Sequence, residues 1–533
     1  MCRNLLVLFC FFAIGASAQT NRYFVFFKDK EGTPFSITQP EDFLSAKSIT
    51  RRQNQQISIT EADLPVNPAY VQQLKDNGVA AFYTSRWLNG VLVEATGTQL
   101  STISALPFVD NILLAAPGQK LSNGRTKRIK RRHDTGDQPL ANATQLLQLG
   151  IPAMHAAGNR GEGMAIAIFD SGFQGVDTAA PFSLLNNDNR VKQVFNFVTN
   201  STNVFTADDH GTEVLSVMAA YIEGSYTGGA YLADYYLYQT EDVSSEYRIE
   251  ELNWTFAAEK ADSAGVQIIN SSLGYNEFDD NGMNYTKAQL DGETAYITRA
   301  ARMAIERGII VVCSAGNEGN SSWQLVTPPA DAAGILAVGS VNAAGTRSPF
   351  SSLGPTADNR VKPDVVALGF GTQVIRASGN IGTTSGTSLA SPLVASLAAG
   401  VWQAYPDFTA QEIYELLTES ASQSTTPDNF LGYGIPNYEA VVNYLKEPEP
   451  ENALALFPNP VVHNRFNIQL NEIINPVTVT IFDSKGARVA ETSLHINWQN
   501  NPFEYDVEYL LAGLYYVRIQ SGSTQTTFRI MKQ

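Results

Sequence analysis

Cysteine and positive charge are both scarce in this chain of 533 residues. Cysteine occurs three times, at Cys2, Cys10 and Cys313, and the first two fall in a predicted leader, so an internal disulfide framework is excluded. Lys and Arg number 36 against 52 Asp and Glu, for a net charge of −16. An acidic balance of this size argues against nucleic acid as the main partner.

Long apolar runs are also missing beyond the amino terminus, so no transmembrane helix is predicted. Residues 1–18 have the pattern of a secretory signal peptide, with Arg3, an apolar core from Leu5 to Ile14, and the cleavage site Ala16-Ser17-Ala18. The apolar core is too short to span a bilayer. The chain is therefore predicted to be exported, and its length requires several domains.

Residues 19–132 are predicted to form a compact α+β domain that ends in a basic linker. Tyr23–Phe27 has the composition of a strand, and Asn67 followed by Pro68 is typical of a helix start. The stretch from Lys120 to Arg132 is dense in Lys and Arg. In an exported acidic protein we interpret it as a site of proteolytic cutting, which makes this region a candidate propeptide. A solvated basic arm is the alternative.

Apolar strands alternate with helical segments over residues 133–446, which predicts a parallel α/β sheet flanked by helices. Met164–Phe169 is the clearest buried strand. A Pro- and Glu-rich linker follows over residues 447–455. Residues 456–533 show the period-two alternation of short strands, which predicts a small β-sandwich.

Four polar residues of the α/β region lie at the ends of predicted strands and helices, where such folds place their sites. Asp170 and Asn317 follow buried strands, and His210, one of five histidines, opens a helix beside Gly211, which permits close backbone approach. Ser388 begins a helix of small residues, where unpaired N–H groups can stabilise an oxyanion. Each residue alone also fits a turn or a helix cap.

Together these motifs resemble those of the subtilases, the subtilisin-like serine proteases. The order Asp, His, Ser along the chain is that of subtilisin. The resemblance covers roughly residues 140–445. It is carried by Asp170-Ser171-Gly172, His210-Gly211-Thr212, Ala315-Gly316-Asn317-Glu318-Gly319 and Gly386-Thr387-Ser388-Leu389-Ala390-Ser391-Pro392.

The resemblance implies a subtilisin-like fold and a serine endopeptidase that works through an acyl-enzyme intermediate. In that family's mechanism Ser388 would be the nucleophile, His210 the general base and Asp170 the residue that orients the imidazole. Asn317 and the backbone N–H of Ser388 would form the oxyanion hole. The chemistry would require no cofactor.

The resemblance also implies where a protein or peptide substrate binds. Ser272-Leu273-Gly274 would pair with the substrate backbone, and Ser314-Ala315-Gly316 would form the other wall of the primary specificity pocket. Thr327 is the expected floor of that pocket, and one of the following bonds, at Pro328 or Pro329, is expected to be cis. Subtilases often bind calcium, but the acidic loop from Asn276 to Asp291 matches no defined spacing, and a solvated loop is favoured.

Two further resemblances concern export and activation. Residues 22–118 resemble the inhibitory propeptides of subtilases, with the mature amino terminus expected near or after Arg132. From Leu456-Phe457-Pro458-Asn459-Pro460 onward the chain resembles the sorting domain of type IX secretion cargo. The resemblance to a sorting domain implies transit through the periplasm to the exterior or the cell surface, with the secretion machinery as a partner. The chain's own propeptide is the other expected partner. A carbohydrate-binding module is the alternative for this domain.

Two alternatives remain for the α/β domain. A serine-carboxyl protease of the same fold would use a carboxylate as base, which the His210-Gly211-Thr212 motif argues against. A surface or binding protein with lapsed chemistry would keep the fold without the activity. The sequence offers this second alternative no support, because all four expected residues are present.

Overall fold

The computed structural model describes residues 19–118, 142–445, 454–470, 473–497, 500–522 and 524–533. The predicted signal peptide and basic linker, and most of the second linker, lie outside these residues. The chain folds as two compact units, Met1–Glu439 and Ala440–Gln533. Among the described residues, no helix combines the length and the apolar character needed to cross a membrane.

Residues 19–118 form an antiparallel sheet with the strand order β2-β3-β1-β4, accompanied by three α-helices. In chain order the elements are β1 (Asn21–Phe27), α1 (Ala46–Asn54), α2 (Pro68–Asp76), β2 (Ala80–Ser85), β3 (Gly90–Ala95), α3 (Gly97–Ile103) and β4 (Val109–Ala116). As predicted, the side chain of Asn67 caps α2, accepting a hydrogen bond from the backbone N–H of Ala69 at 2.8 Å. The α+β prediction for this region is confirmed.

Residues 142–445 contain the α/β domain. Its elements are α4 (Ala143–Gln148), α5 (Ile151–Ala156), β5 (Ala165–Asp170), α6 (Ser183–Asn187), β6 (Val191–Asn196), α7 (His210–Ala219), β7 (Tyr221–Ile222), β8 (Tyr226–Thr227), β9 (Asp234–Gln239), α8 (Ile249–Ala264), β10 (Ile268–Ser271), α9 (Tyr296–Glu306), β11 (Ile310–Ser314), β12 (Leu336–Val341), β13 (Val365–Leu368), β14 (Thr372–Ile375), β15 (Ile381–Thr384), α10 (Thr387–Ala404), α11 (Ala410–Glu419) and α12 (Tyr438–Leu445). Seven strands form one sheet in the order β13-β12-β11-β10-β5-β9-β6.

Every pairing in that sheet is parallel, as predicted. Both faces are covered, which is why the central strands are continuous apolar runs. Ala165, Ala167 and Phe169 of β5 face a core shared with α8 and α9. Because side chains alternate along a strand, Ile166 and Ile168 point to the opposite face. There α10 packs against β10, β11, β12 and β13.

The described residues from 454 onward form two antiparallel sheets around one apolar core. One sheet has the strand order β16-β17-β20 and the other β19-β18-β21-β22. The strands are β16 (Leu454–Phe457), β17 (Arg465–Leu470), β18 (Val477–Asp483), β19 (Arg488–Leu494), β20 (Phe503–Asp506), β21 (Gly513–Ser521) and β22 (Thr524–Lys532). The predicted β-sandwich is confirmed, and its first strand begins two residues before the expected boundary at 456.

The antiparallel sheet of residues 19–118 packs on α8 and α9 of the α/β domain. The ring of Phe24 lies 6.3 Å from that of Phe256 on α8, and Phe26 stacks at 6.0 Å on Tyr296 of α9. Val25, between them, points into the separate core of residues 19–118. Because successive side chains of a strand point to opposite faces, β1 contributes Phe24 and Phe26 to one core and Val25 to the other.

Asp262 of α8 lies at the centre of a buried ion cluster at this interface. Its carboxylate pairs with Arg51, with Arg86 and, at 2.8 Å, with Arg52, and all four side chains are at least nine-tenths buried. Burial alone would raise the pKa of Asp262. The positive charges of Arg86, Arg51 and Arg52 outweigh that effect and hold the pKa below its usual value.

A second carboxylate on α8 reinforces the interface. Glu259 accepts hydrogen bonds from the backbone N–H groups of Arg86 at 2.9 Å and Trp87 at 3.2 Å, and from the hydroxyl of Ser85. Ser85 ends β2, and Arg86 and Trp87 begin the turn that leads to β3. The sheet of residues 19–118 is thus held by directed polar contacts as well as by apolar packing.

We predict that Asp262→Asn destabilises this attachment, because it removes the carboxylate that Arg51, Arg52 and Arg86 share. Of these three buried guanidinium groups, Arg52 would retain its ion pair with Asp63 at 3.0 Å. In the uncut chain the expected loss is about 3–5 kcal/mol in the free energy of unfolding, measured by denaturant titration on a Ser388→Ala background. Asp188→Asn, which removes an exposed partner of Arg190, is the matched control, with an expected change below about 1 kcal/mol. Equal effects of the two substitutions would contradict the assignment.

Candidate active site

The carboxyl ends of three adjacent strands form the edge on which the site is built. Phe169 of β5 lies opposite Ser271 of β10, and Ser271 lies opposite Cys313 of β11. Neighbouring strands are about 4.8 Å apart, so the residues that follow, Asp170, Ser272 and Ser314, stand side by side. Parallel pairing thus brings together residues from three distant parts of the chain.

Asp170 and His210 are in direct contact at this edge. Nδ1 of His210 lies 2.7 Å from Oδ1 of Asp170, and both side chains are essentially inaccessible to solvent. Gly211 makes the approach sterically feasible, since a Cβ at that position would lie 2.4 Å from the carbonyl oxygen of Gly172 and 2.9 Å from the Cβ of Asp170. The predicted role of Gly211 in close backbone approach is confirmed.

Ser388 is the second residue of α10 and is 94% buried. Gly386 occupies the N-cap position, so the alternative in which Thr387 or Ser388 caps the helix is wrong. The carbonyl oxygen of Ser388 accepts a hydrogen bond from Oγ of Ser272 at 2.8 Å, which ties the start of α10 to the end of β10. The helices that open with His210 and Thr387 both begin at this edge, because His210 contacts Asp170 and Ser388 contacts Ser272.

Asn317 is oriented by its contacts with the start of α10. Its Oδ1 accepts hydrogen bonds from the backbone N–H and from the hydroxyl of Thr387, both at 3.0 Å. With Oδ1 held in this way, Nδ2 lies on the side of Ser388: a Cβ at Gly386 would be 2.9 Å from Oγ of Ser388 and 3.7 Å from Nδ2 of Asn317. An amide donor and a hydroxyl therefore border the same space.

The two expected substrate-binding segments continue directly from β10 and β11. Ser272-Leu273-Gly274 and Ser314-Ala315-Gly316 lie next to each other, with Oγ of Ser314 donating to the carbonyl oxygen of Leu273 at 3.4 Å. Cys313 is fully buried, and burial raises the pKa of its thiol. Its predicted packing role is confirmed.

Thr327 lies next to both of these segments, since a Cβ at Gly274 or at Gly316 would meet its Oγ1. Its backbone N–H donates to the carbonyl oxygen of Ala315 at 3.2 Å. The next residue, Pro328, accepts a hydrogen bond from the N–H of Tyr275 at 2.9 Å. The Pro328–Pro329 bond is cis, which confirms that prediction.

Two acidic side chains of the loop from Asn276 to Asp291 accept local hydrogen bonds, and a third, Asp279, accepts from the N–H of Glu246 at 3.1 Å. Asp280 accepts from the N–H of Gly282 at 2.9 Å, and Asp291 accepts from the N–H groups of Glu293 at 2.8 Å and Thr294 at 2.7 Å. Calcium takes about six to eight oxygen ligands. Among the described residues, the only group of three carboxylates with metal-like spacing lies outside this loop, at Glu241, Glu246 and Glu250.

Three residues that support the site were missed by the sequence reasoning. Asp208 accepts a hydrogen bond from Oγ of Ser171 at 2.6 Å, beside Asp170. Oγ of Ser352 accepts from the N–H of Glu318 at 3.0 Å, next to Asn317. Thr387 orients Asn317, as described above. Asp208 lies next to the histidine motif and Thr387 lies within the serine motif, which were local signals, whereas nothing near Ser352 marks it.

Comparison with known proteins identifies all three domains. The family model described as "Subtilase family" matches residues 161–434. A model described as "Peptidase S8 propeptide domain, Bacteroidota" matches residues 22–133, and "Secretion system C-terminal sorting domain" matches residues 455–533. The predictions of a propeptide and of a sorting domain are therefore confirmed.

Similar individual proteins include bacterial subtilisins. "Subtilisin" from Bacillus pumilus is 30% identical over 300 residues, which are 55% of this chain and 96% of that protein. "Subtilisin NAT" from Bacillus subtilis subsp. natto is 31% identical over 297 residues, 55% of this chain and 69% of that protein. Among solved structures, the MycP3 protease from the type VII (ESX-3) secretion system is 20% identical with a TM-score of 0.47, over 58% of this chain and 93% of that chain.

Because Asp280 and Asp291 already accept hydrogen bonds from nearby backbone N–H groups, we predict that calcium does not stabilise this loop. We expect any difference in the melting temperature of the purified protein between a chelator such as EDTA and excess calcium to be the same in wild type and in Asp291→Asn. A lower melting temperature in chelator, restored by calcium and absent in Asp291→Asn, would contradict this prediction and place the ion in the loop.

Proposed function

The chain belongs to the subtilase family of serine endopeptidases, and from this premise we propose that Asp170, His210 and Ser388 form its catalytic triad. The reaction is hydrolysis of peptide bonds through an acyl-enzyme intermediate. The observation that carries the proposal is the buried 2.7 Å contact between Nδ1 of His210 and Asp170. It lies at the same sheet edge as the start of the helix that holds Ser388.

The first step is attack of Ser388 Oγ on the carbonyl carbon of the substrate. His210 takes the hydroxyl proton as general base, and the Asp170 contact at Nδ1 selects the tautomer in which Nε2 accepts it. The same carboxylate stabilises the imidazolium that forms. Because Asp170 is fully buried, this interaction is screened little by solvent.

The tetrahedral intermediate places negative charge on the former carbonyl oxygen. Nδ2 of Asn317 and the backbone N–H of Ser388, at the amino-terminal end of α10, are the proposed donors to that oxyanion. Loss of one such side-chain donor lowers turnover about 10²–10³-fold, a value that comes from subtilisin itself. Thr387 holds Oδ1 of Asn317, so the donor is oriented before substrate arrives.

Collapse of the intermediate breaks the C–N bond, and His210 gives its proton to the leaving amine. A water molecule then attacks the ester carbonyl of the acyl-Ser388 intermediate, with His210 again taking a proton. Release of the acid product restores the hydroxyl of Ser388. No step needs a cofactor.

Substrate binds as an extended strand between two backbone segments. Ser272-Leu273-Gly274 supplies one edge and Ser314-Ala315-Gly316 the other, and both follow strands of the central sheet. The class of substrate is protein or peptide. Which bonds are cut depends on the pocket between these segments.

The enzyme is made as a secreted precursor, because a propeptide domain precedes the protease domain and a secretion sorting domain follows it. We propose that residues 19–132 inhibit the enzyme until the basic linker is cut, with the mature amino terminus near or after Arg132. Export passes through the periplasm by the type IX machinery. The final location is the exterior or the cell surface.

We predict that Ser388→Ala abolishes peptide hydrolysis and labelling by an organophosphonate probe, because both require the hydroxyl of that residue. Ser183→Ala, at an exposed position on α6, is the matched control and should keep both. Undiminished cleavage by Ser388→Ala would overturn the proposed mechanism. A wild-type enzyme that neither cleaves nor takes up the probe would indicate a subtilase fold with lapsed chemistry.

Deletion of residues 456–533 is expected to leave the protein in the periplasm, because the sorting domain is removed while the protease domain stays intact. Cell fractionation and activity measurements in a host with type IX secretion test this. Normal export of the truncated protein would contradict a sorting role and favour a carbohydrate-binding or other binding module.

A further inference from the structure

We propose that Thr327 closes the specificity pocket, so that the enzyme cleaves after residues with short side chains such as alanine and serine. This inference rests on the proposed function, since it concerns the pocket beside the proposed nucleophile. It names the substrate class that the assigned chemistry alone leaves open.

The pocket lies beside Ser388 and is bounded by two glycines. Gly316 directly precedes Asn317, the proposed oxyanion donor, and Gly274 follows two residues after Ser272, whose hydroxyl contacts the carbonyl oxygen of Ser388. A substrate strand lying along these segments presents the side chain before the scissile bond to the gap between the two glycines. Neither glycine carries a side chain that would obstruct the gap.

The hydroxyl of Thr327 stands in this gap. A Cβ added to Gly274 would lie 2.1 Å from Oγ1 of Thr327, and a Cβ added to Gly316 would lie 2.9 Å from the same atom. Oγ of Ser352 is also 2.9 Å from that second Cβ position. The space that a long or aromatic side chain would need between the two glycine backbones is therefore taken by side-chain atoms of the protein.

Thr327 cannot move away to admit a larger side chain, because hydrogen bonds hold the backbone of Thr327 and Pro328 to both segments. Thr327 donates through its N–H to the carbonyl oxygen of Ala315 in one wall. Pro328 accepts from Tyr275, which follows Gly274 in the other wall. Moving the floor would break one of these buried hydrogen bonds.

The Thr327 hydroxyl also has an unmet hydrogen-bonding capacity. The residue is 97% buried, and its Oγ1 has no hydrogen-bond partner among the described residues. Leaving such a buried group unpaired is unfavourable, because it has lost its hydrogen bonds to water and gained none in return. A serine hydroxyl entering the gap would satisfy it, whereas an alanine methyl would fill the same short space without that bond. The side chains of leucine and phenylalanine are too large for the gap, and neither carries a group that could hydrogen-bond to the Thr327 hydroxyl.

The test uses the mature protease and peptide p-nitroanilides that differ only in the residue before the cleaved bond: Ala, Ser, Leu and Phe. We expect kcat/KM of wild type to be about 10–100-fold higher for Ala and Ser than for Phe. Thr327→Gly should open the gap and raise the Phe-to-Ala ratio by a similar factor. Thr327→Ser, which keeps the hydroxyl, should leave the ratio near the wild-type value.

Thr346→Gly, at an exposed turn position, is the matched control and should not change the ratio. Phosphonate titration of Ser388 gives the concentration of folded active sites in each variant. A wild-type preference for Phe or Leu over Ala would overturn the inference even if Thr327→Gly failed to fold, as would an unchanged ratio in a folded Thr327→Gly. In both cases phosphonate labelling and cleavage would leave the proposed function standing, whereas their absence in wild type would refute that function itself.

Discussion

The shared register of β5, β10 and β11 is the constraint on which the whole site depends. Backbone hydrogen bonds between parallel strands align Phe169, Ser271 and Cys313, and the functional residues follow one step further along. A slip of one residue in any of these strands would turn its side chains to the opposite face of the sheet. Burial of both faces prevents such a slip, because each strand carries apolar residues toward two cores.

Two helices place His210 and Ser388 next to the ends of these strands. The helix that opens with His210 can approach Asp170 because Gly211 has no side chain to meet the carbonyl oxygen of Gly172. The helix that holds Ser388 is tied to β10 by the hydroxyl of Ser272 and, deeper, by Ser391, whose Oγ donates to Oδ1 of Asn270 at 2.8 Å. Rigid elements therefore carry the reactive groups, and loops supply the pocket between them.

The propeptide interface follows a different physical principle from the active site. Apolar packing of β1 on α8 and α9 supplies attraction, but it is not selective by itself. The cluster around Asp262 supplies selectivity, because a partner without matching arginines would leave a buried carboxylate uncompensated. The lowered pKa of Asp262 means that this contribution is complete above the ordinary carboxylate range, near pH 4. It is lost as the pH falls below that range, so strong acid weakens the attachment.

The sequence by itself determined the order of domains and the parallel α/β class, and it marked Asp170, His210, Asn317 and Ser388 as candidate site residues, because each leaves a local signal. Apolar runs, a capping Asn67 and short Gly-containing motifs depend only on neighbouring residues. Strand limits leave a weaker local signal: Asp170 lies within β5 rather than after it.

Only the tertiary structure decided which residues touch across long separations in the chain. Asp262 with its three arginines and Ser352 next to Asn317 have no periodicity or spacing that marks them in advance. Each contact arises when distant segments are brought together by sheet register and helix packing. The role of a buried charge or hydroxyl depends on the groups that contact it, and those groups come from distant parts of the chain.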